Sequence, residues 1–213
     1  MSTPTRVPQE ERTRVMRQRL LEATVECLVE VGFARTSTTL VSQRAGVSRG
    51  AQLHHFPTKN DLVLAAVGHV TQIRGSDLET AAATMPHGTR RTRAVLQMLG
   101  DHFASPVFSA ALELWVAART DPALLAAVGP LEQRVGREVH RLTVELLGID
   151  EEVPGNRELI QATLDLVRGL GLANTISDDT RRRARILDRW ADRLDAVLAA
   201  QPSSRDHSTK EQP

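Results

Sequence analysis

The feature that most constrains this chain is the spacing of its apolar residues, which recur at three- and four-residue steps along nearly the whole length. Met16, Leu20, Ala23, Cys27, Leu28 and Val31 set the pattern near the front. Leu159, Ile160, Leu164, Val167 and Leu170, then Ile186, Leu187, Trp190, Leu194 and Val197, repeat it near the end. Such a period lays one apolar stripe along one face of a helix. Tyrosine is absent and no run of alternating β-branched residues lies between turns, so nothing signals a strand. The expected fold class is all-α, and 213 residues leave room for one domain of ordinary size beside a smaller one.

Glycines, prolines and small hydroxyl residues divide the pattern. A first helix is expected from about Arg12 to Val31, with Gly32 ending it as glycine does beyond a helix C-terminus. Ser37 suits the N-cap of a short helix from Thr38 to Arg44, and Gly46 supplies a turn. Ser48 can cap a second short helix, Arg49 to His55, which must stop before Pro57 because a proline pushes its predecessor out of the helical region. Longer helices are expected over about 59–84, 90–104, 106–119, 122–147, 157–175 and 179–200. The breaks between them carry Met85-Pro86-His87-Gly88, Pro106, Asp121-Pro122 and Val153-Pro154-Gly155, each with a proline. Asp121 fits an N-cap followed by proline at the first helical position. No repeat of about 20–50 residues is visible, so a bundle is expected rather than a solenoid.

Several classes are excluded at this point. No stretch approaches the roughly 18 consecutive apolar residues of a membrane span, and the front of the chain has no run of signal-peptide type, so a cytosolic protein without a membrane partner is expected. Cys27 stands alone; it can supply neither an internal disulfide nor a multi-cysteine zinc site and is expected as a small buried hydrophobe. The net charge of +1 conceals an asymmetry. Residues 1–60 hold nine Lys and Arg against five Glu, a net +4, and the remainder is net −3. A basic head on a mildly acidic body is the pattern of a polyanion binder.

A helix, a short turn containing glycine and a second helix form the helix-turn-helix pattern. Val41 and Val47 are placed to pack the two short helices together. The second helix then offers Arg49, Gly50, Ala51, Gln52 and His54 in its N-terminal half, where a recognition helix meets base edges in the major groove. Arginine forks onto guanine and glutamine onto adenine. The hydroxyls of Ser37, Thr38, Thr39 and Ser48, the N-terminal ends of the two helices and the amine of Lys59 suit phosphate. Of His54 and His55, one is expected to face DNA and the other to pack inward; adjacent helical residues point about 100° apart, and no metal site is expected.

These residues resemble a known family. Gly32-Phe33-Ala34-Arg35-Thr36-Ser37-Thr38, then Ala45-Gly46-Val47-Ser48-Arg49-Gly50, then His55-Phe56-Pro57-Thr58-Lys59-Asn60-Asp61-Leu62 look like the DNA-binding domain of TetR-type transcriptional regulators, in order and spacing, over roughly residues 12–66. The resemblance implies a three-helix DNA reader, a fourth helix leading to an all-helical ligand-binding and dimerisation domain, and a homodimer on a palindromic double-stranded DNA operator. The division expected is an arm at 1–11 without fixed structure, the reader at 12–58, the ligand-binding and dimerisation domain at 59–200, and a disordered tail at 201–213. One departure stands out: the family has Leu-Tyr where this chain has Gln52-Leu53. Either Leu53 stays exposed, or the short helix turns so that Leu53 becomes the core residue and Gln52 faces DNA. The second is the favoured expectation, because an unpaired buried glutamine is costly.

The middle helices of the family enclose a cavity for a small-molecule effector. Here they hold Met98, His102, Phe103, Phe108, Trp115, His140 and Arg168, the candidate ligand-binding residues, and a mostly apolar pocket with a few polar groups suits an apolar effector. No cofactor and no catalytic residue are expected. The last two helices are expected to pair with their copies across a two-fold axis, and Gly169 and Gly171 to permit close helix approach. The basic run Arg181-Arg182-Arg183 with Arg185 reads as a solvated face. Two rivals stand beside the regulator. Gly46-Val47-Ser48-Arg49-Gly50 fits the G-x-S-x-G expression of a serine hydrolase, although that elbow requires a strand feeding the serine. A helical adaptor without DNA contact is the other.

Overall fold

A computed structural model of the chain describes residues 9–69, 80, 85–86 and 89–200. Among the described residues every regular element is an α-helix. In chain order these are α1 (Gln9–Arg35), α2 (Thr38–Ala45), α3 (Arg49–His55), α4 (59–69), α5 (Thr89–Phe103), α6 (Pro106–Ala118), α7 (Pro122–Leu147), α8 (Asn156–Asn174) and α9 (Thr180–Ala199).

Local chemistry explains the boundaries. Glu10 and Glu11 occupy the first turn of α1, where carboxylates complement the helix dipole, and Arg14 pairs with Glu11 at 2.6 Å. Among the described residues the helix is already formed at Gln9, ahead of the expected Arg12, so residues 9–11 are helical. Gly32 interrupts α1 with φ 74 and ψ 169, a backbone region open essentially to glycine alone, and a last turn follows it to Arg35. The Ser37 hydroxyl accepts the Leu40 amide, and the Ser48 hydroxyl accepts that of Ala51. Gly46 lies between them with φ 64, in the left-handed conformation. Thr58 and Asp61 cap α4 reciprocally, each backbone amide donating to the other's side chain at 3.1 Å. Ser105 caps α6 ahead of Pro106, and the Asp121 carboxylate accepts the Leu124 amide at 3.0 Å ahead of Pro122.

The contacts sort the chain into two compact units. The first comprises α1 to α4, α6 and α7 as far as His140. Its inner cluster is Leu20, Leu21, Ala23, Cys27, Val41, Phe56, Leu62 and Ala66, all from α1 to α4 and the residue that follows α3. Val47 packs on it, so Val41 and Val47 lie against the same core, and Cys27 is a buried thiol whose pKa burial raises. A second cluster joins Leu28, Val63 and Val67 to Ala110, Leu114, Ala118, Leu124 and Val128, so α6 and α7 complete the apolar packing of α1 and α4.

The second unit comprises α5, the end of α7 from Arg141, α8 and α9. Val95, Leu96 and Leu99 of α5 are buried, as are Ile160, Val167, Leu187, Ala191 and Leu194. A Cβ on Gly171 would lie 2.2 Å from the Phe103 carbonyl oxygen, so glycine there permits the close approach of α8 to α5. Gly169 has open space around it and plays no such part. Gly100 does: its added Cβ would meet Leu187 at 2.6 Å. Arg93 pairs with Asp188 and Asp192 at 2.9 and 3.0 Å. The basic run at the start of α9 is not wholly solvated, because Arg183 is buried and donates to Asn174 at 3.1 Å and Asp101 at 3.4 Å. The expected tail at 201–213, residues 1–8 of the arm and most of the expected helix beyond residue 69 lie outside the described residues.

Candidate nucleic-acid interface

The first unit sets α3 on the outside of its inner core. Ser48, Arg49, Gly50 and His54 are exposed, while Ala51 and His55 are half-buried. A Cβ built on Gly50 meets nothing within 4 Å, so a ligand's backbone can approach closely there. Arg49 opens the helix immediately beyond the Ser48 cap. Ser37 and Thr39 are exposed at the start of α2, and Thr38 is half-buried.

The register of α3 reverses the expectation for Gln52 and Leu53. Gln52 is fully buried and Leu53 is 43% exposed. The Gln52 amide nitrogen donates to the Phe56 carbonyl at 2.6 Å, while its Oε1 has no partner. A buried glutamine half satisfied by the carbonyl just past the end of its own helix is tolerated at less cost than an unpaired one. Gln52 is therefore a strut inside the reader and cannot meet a base, and Leu53 is the exposed apolar residue of α3.

Lys59 also departs from its expected place. It is half-buried, its ammonium donates to the Phe33 carbonyl at 2.5 Å and sits 4.0 Å from the Phe33 ring centroid, and burial lowers its pKa. The amine is committed to the chain just past the Gly32 break, so Lys59 braces the reader instead of offering an open charge to phosphate. Glu113 of α6 completes that junction by accepting the Phe33 amide at 3.1 Å. The two histidine rings at the end of α3 meet edge-on at 5.6 Å. Desolvation first, then the neighbouring His54 and Arg17, lower the pKa of His55. Arg17 itself lies 5.3 Å from the Phe56 ring centroid. Arg17 and Glu113 were not legible as site residues in the sequence, because their partners Phe56 and Phe33 lie 39 and 80 positions away and no local pattern joins them.

Ser48 is not a hydrolase nucleophile in this setting. The helix α2 and a turn precede it where an elbow needs a strand, and its hydroxyl is engaged as a helix cap.

The candidate effector residues fall in both units. In the second, Met98 is half-buried, His102 meets Phe103 edge-on at 5.1 Å, and the Arg168 guanidinium lies 5.6 Å from the buried Phe103 ring while pairing with Asp165 at 2.7 Å. In the first, Phe108 and Trp115 meet edge-on at 5.8 Å, and His140 is half-buried on α7. Each group makes packing contacts of its own. A separate groove of about 1230 Å³ runs along α9, lined by Leu166, Ile186, Trp190, Ala196 and several arginines.

A glycine-turned pair of short capped helices, buried on one side and bearing exposed Arg49 on the other, defines a helix-turn-helix transcriptional regulator. The family described as bacterial regulatory proteins, tetR family, matches residues 20–66. The HTH-type transcriptional regulator CymR of Pseudomonas putida is 30% identical over 190 residues, covering 86% of this chain and 91% of that one. A protein of Pseudomonas aeruginosa PAO1, solved as a candidate transcriptional regulator, superposes with a TM-score of 0.68 at 28% identity, covering 90% of this chain and 94% of the other. The transcriptional regulator FadR of Bacillus subtilis, solved in complex with stearoyl-CoA, shares the fold with a TM-score of 0.61 at 13% identity, covering 83% and 96%. The chain belongs to the TetR family of transcriptional regulators, whose members are regulators and not enzymes. Among the described residues, no helix is long and apolar enough to cross a membrane.

Proposed function

We propose that this regulator is a cytoplasmic repressor that binds a near-palindromic operator as a homodimer and leaves it when a small apolar effector binds. The observation that carries the DNA reading is the exposure of Arg49 at the start of α3, immediately after the Ser48 cap. There its guanidinium can fork onto a guanine edge while Ser37, Thr39 and Ser48 meet the phosphates on either side.

The dimer is supported by the α9 groove and by the apolar side chains left outside the core of the second unit. Leu172, Ile176 and Val197 are exposed, and Ile186 and Trp190 are half-buried. Pairing α8 and α9 with their copies removes that surface from water, and two heads then engage successive major-groove faces. The effector reading is supported by the stearoyl-CoA bound to the FadR fold neighbour. Release requires that the effector favour a dimer with wrongly spaced heads, and the response is bounded by its differential affinity for the two forms.

The test is selection from a randomised duplex pool by the wild type and by Arg49→Ala. Enrichment of a two-fold symmetric site by the wild type, with preference relaxed at symmetric positions in the variant, is the expected result. Identical enriched sites from both proteins overturn the base-reading role of Arg49, and failure of the wild type to enrich or retard any duplex favours a protein-binding adaptor.

A further inference from the structure

The exposed face of α1 beside α3 carries charge that the helix-turn-helix alone does not account for. Val15, Met16 and Arg19 lie three, four and seven positions beyond Arg12, along one face of α1. With Gly46, Val47, Ser48 and Ala51 they line a groove of about 450 Å³. Arg12 and Arg19 are exposed, no acidic residue lines the groove, and neither arginine forms an ion pair among the described residues. Their neighbours behave otherwise: Arg14 is held by Glu11, Arg44 by Glu30 and Glu26, and Arg17 lies by Phe56. Seven residues of helix set the two backbones about 10.5 Å apart, so the side chains stand at the two ends of the groove, with the cap and first turn of α3 along its wall.

We propose that Arg12 and Arg19 grip the DNA phosphate backbone beside α3, forming a sequence-independent edge of the reader that works alongside base contact by Arg49. The inference rests on the DNA-binding reading above. The occupant is a polyanion because the groove presents two unneutralised guanidinium groups and no carboxylate. It is the same duplex that α3 reads because Ser48 and Ala51 form part of the groove wall. A strand passing over the start of α3 therefore runs along this groove. Guanidinium groups suit the phosphate by forked hydrogen bonding as well as by charge. Lys59, turned inward to Phe33, leaves this task to α1.

The experiment measures binding of the full chain to two duplexes by fluorescence anisotropy across a salt series. One duplex is a site enriched by the wild type and the other is a scrambled sequence. Arg12→Ala/Arg19→Ala is expected to weaken both duplexes by the same factor, leaving their ratio unchanged. It is also expected to flatten the dependence of log affinity on log salt by about 0.9 for each phosphate relinquished, hence close to 2 per reading head. Arg12→Lys/Arg19→Lys restores the slope, because the charge is kept. Arg134→Ala/Arg137→Ala, which removes equal charge from exposed positions on α7, leaves the slope at its wild-type value. An alanine variant with wild-type slope and affinity overturns the proposal, as does one whose loss is confined to the enriched duplex or is matched by the α7 control. If the wild type itself binds neither duplex, the DNA-binding reading fails; normal wild-type binding with an indifferent double variant defeats only the α1 edge.

Discussion

Single side chains in the reader separate positions that hold it together from positions that face a ligand. Gln52 is of the first kind. Gln52→Ala removes the donor to the Phe56 carbonyl and empties a fully buried site, and is expected to cost about 2 kcal/mol or more in chemical denaturation. The sequence preference of the remaining folded protein should stay as in the wild type. The exposure of Leu53 and burial of Gln52 were not legible in the sequence, because the deciding partner is a backbone carbonyl and no residue type announces it. Polarity argued for the opposite register. The Ser37 and Ser48 caps were legible, since a hydroxyl three residues ahead of its amide is a local signal. His55 makes a pH prediction. Its pKa lies below the ordinary 6.5 in the folded chain, so the unfolded chain binds the proton first as pH falls. Stability from this group is complete above that value and declines as pH drops through it. His55→Gln should flatten the decline, read from denaturation midpoints at a series of pH values on either side of about 6.5.

At the scale of elements, the stops and starts of the helices were written in glycine and proline, while the distances between helices were not. Gly46, Asp121 and Pro106 mark ends that local geometry imposes. Gly171 and Gly169 look alike in sequence, yet only the first meets a neighbouring backbone. Gly171→Ala should push α8 from α5 and destabilise by about 1–3 kcal/mol. Gly169→Ala, with open space in a helix interior, should stabilise by about 0.5–1 kcal/mol. A pair of thermal melts decides both, and a stable Gly171 variant would show that α8 can shift freely. Gly32 is a third case. Its φ of 74 disfavours a side chain, and an added Cβ would lie 2.9 Å from the Glu113 carboxylate. Gly32→Ala is expected to cost on the order of 1–3 kcal/mol and to weaken DNA binding by disturbing the Phe33 junction with Lys59 and α6. Arg183 shows what periodicity misses: a residue within a basic run went inside because Asn174 and Asp101, far apart in sequence, meet it there.

For the whole molecule, the all-helical class followed directly from the apolar period, while the lining of an effector cavity did not, because aromatic residues at helical spacing look the same whether they pack together or surround a guest. The proposed assembly makes the sharpest demand. Ile186→Glu places a charge in the α9 groove and should yield monomers by sedimentation. Affinity for the enriched duplex should fall at least tenfold, about 1.4 kcal/mol, because one head loses the help of the other. A variant that stays dimeric by sedimentation would move the interface elsewhere. The way the chain divides between its two units carries a last consequence. Residues 104–140 share a unit with the first 81, and Leu28, Val63 and Val67 find their apolar partners on α6 and α7. During synthesis the front of the protein must wait for those later turns before its greasy flank is sealed. A chimera cut just after α4 would inherit an open wound, so transplanting the reader onto another body means carrying α6 and the start of α7 along with it.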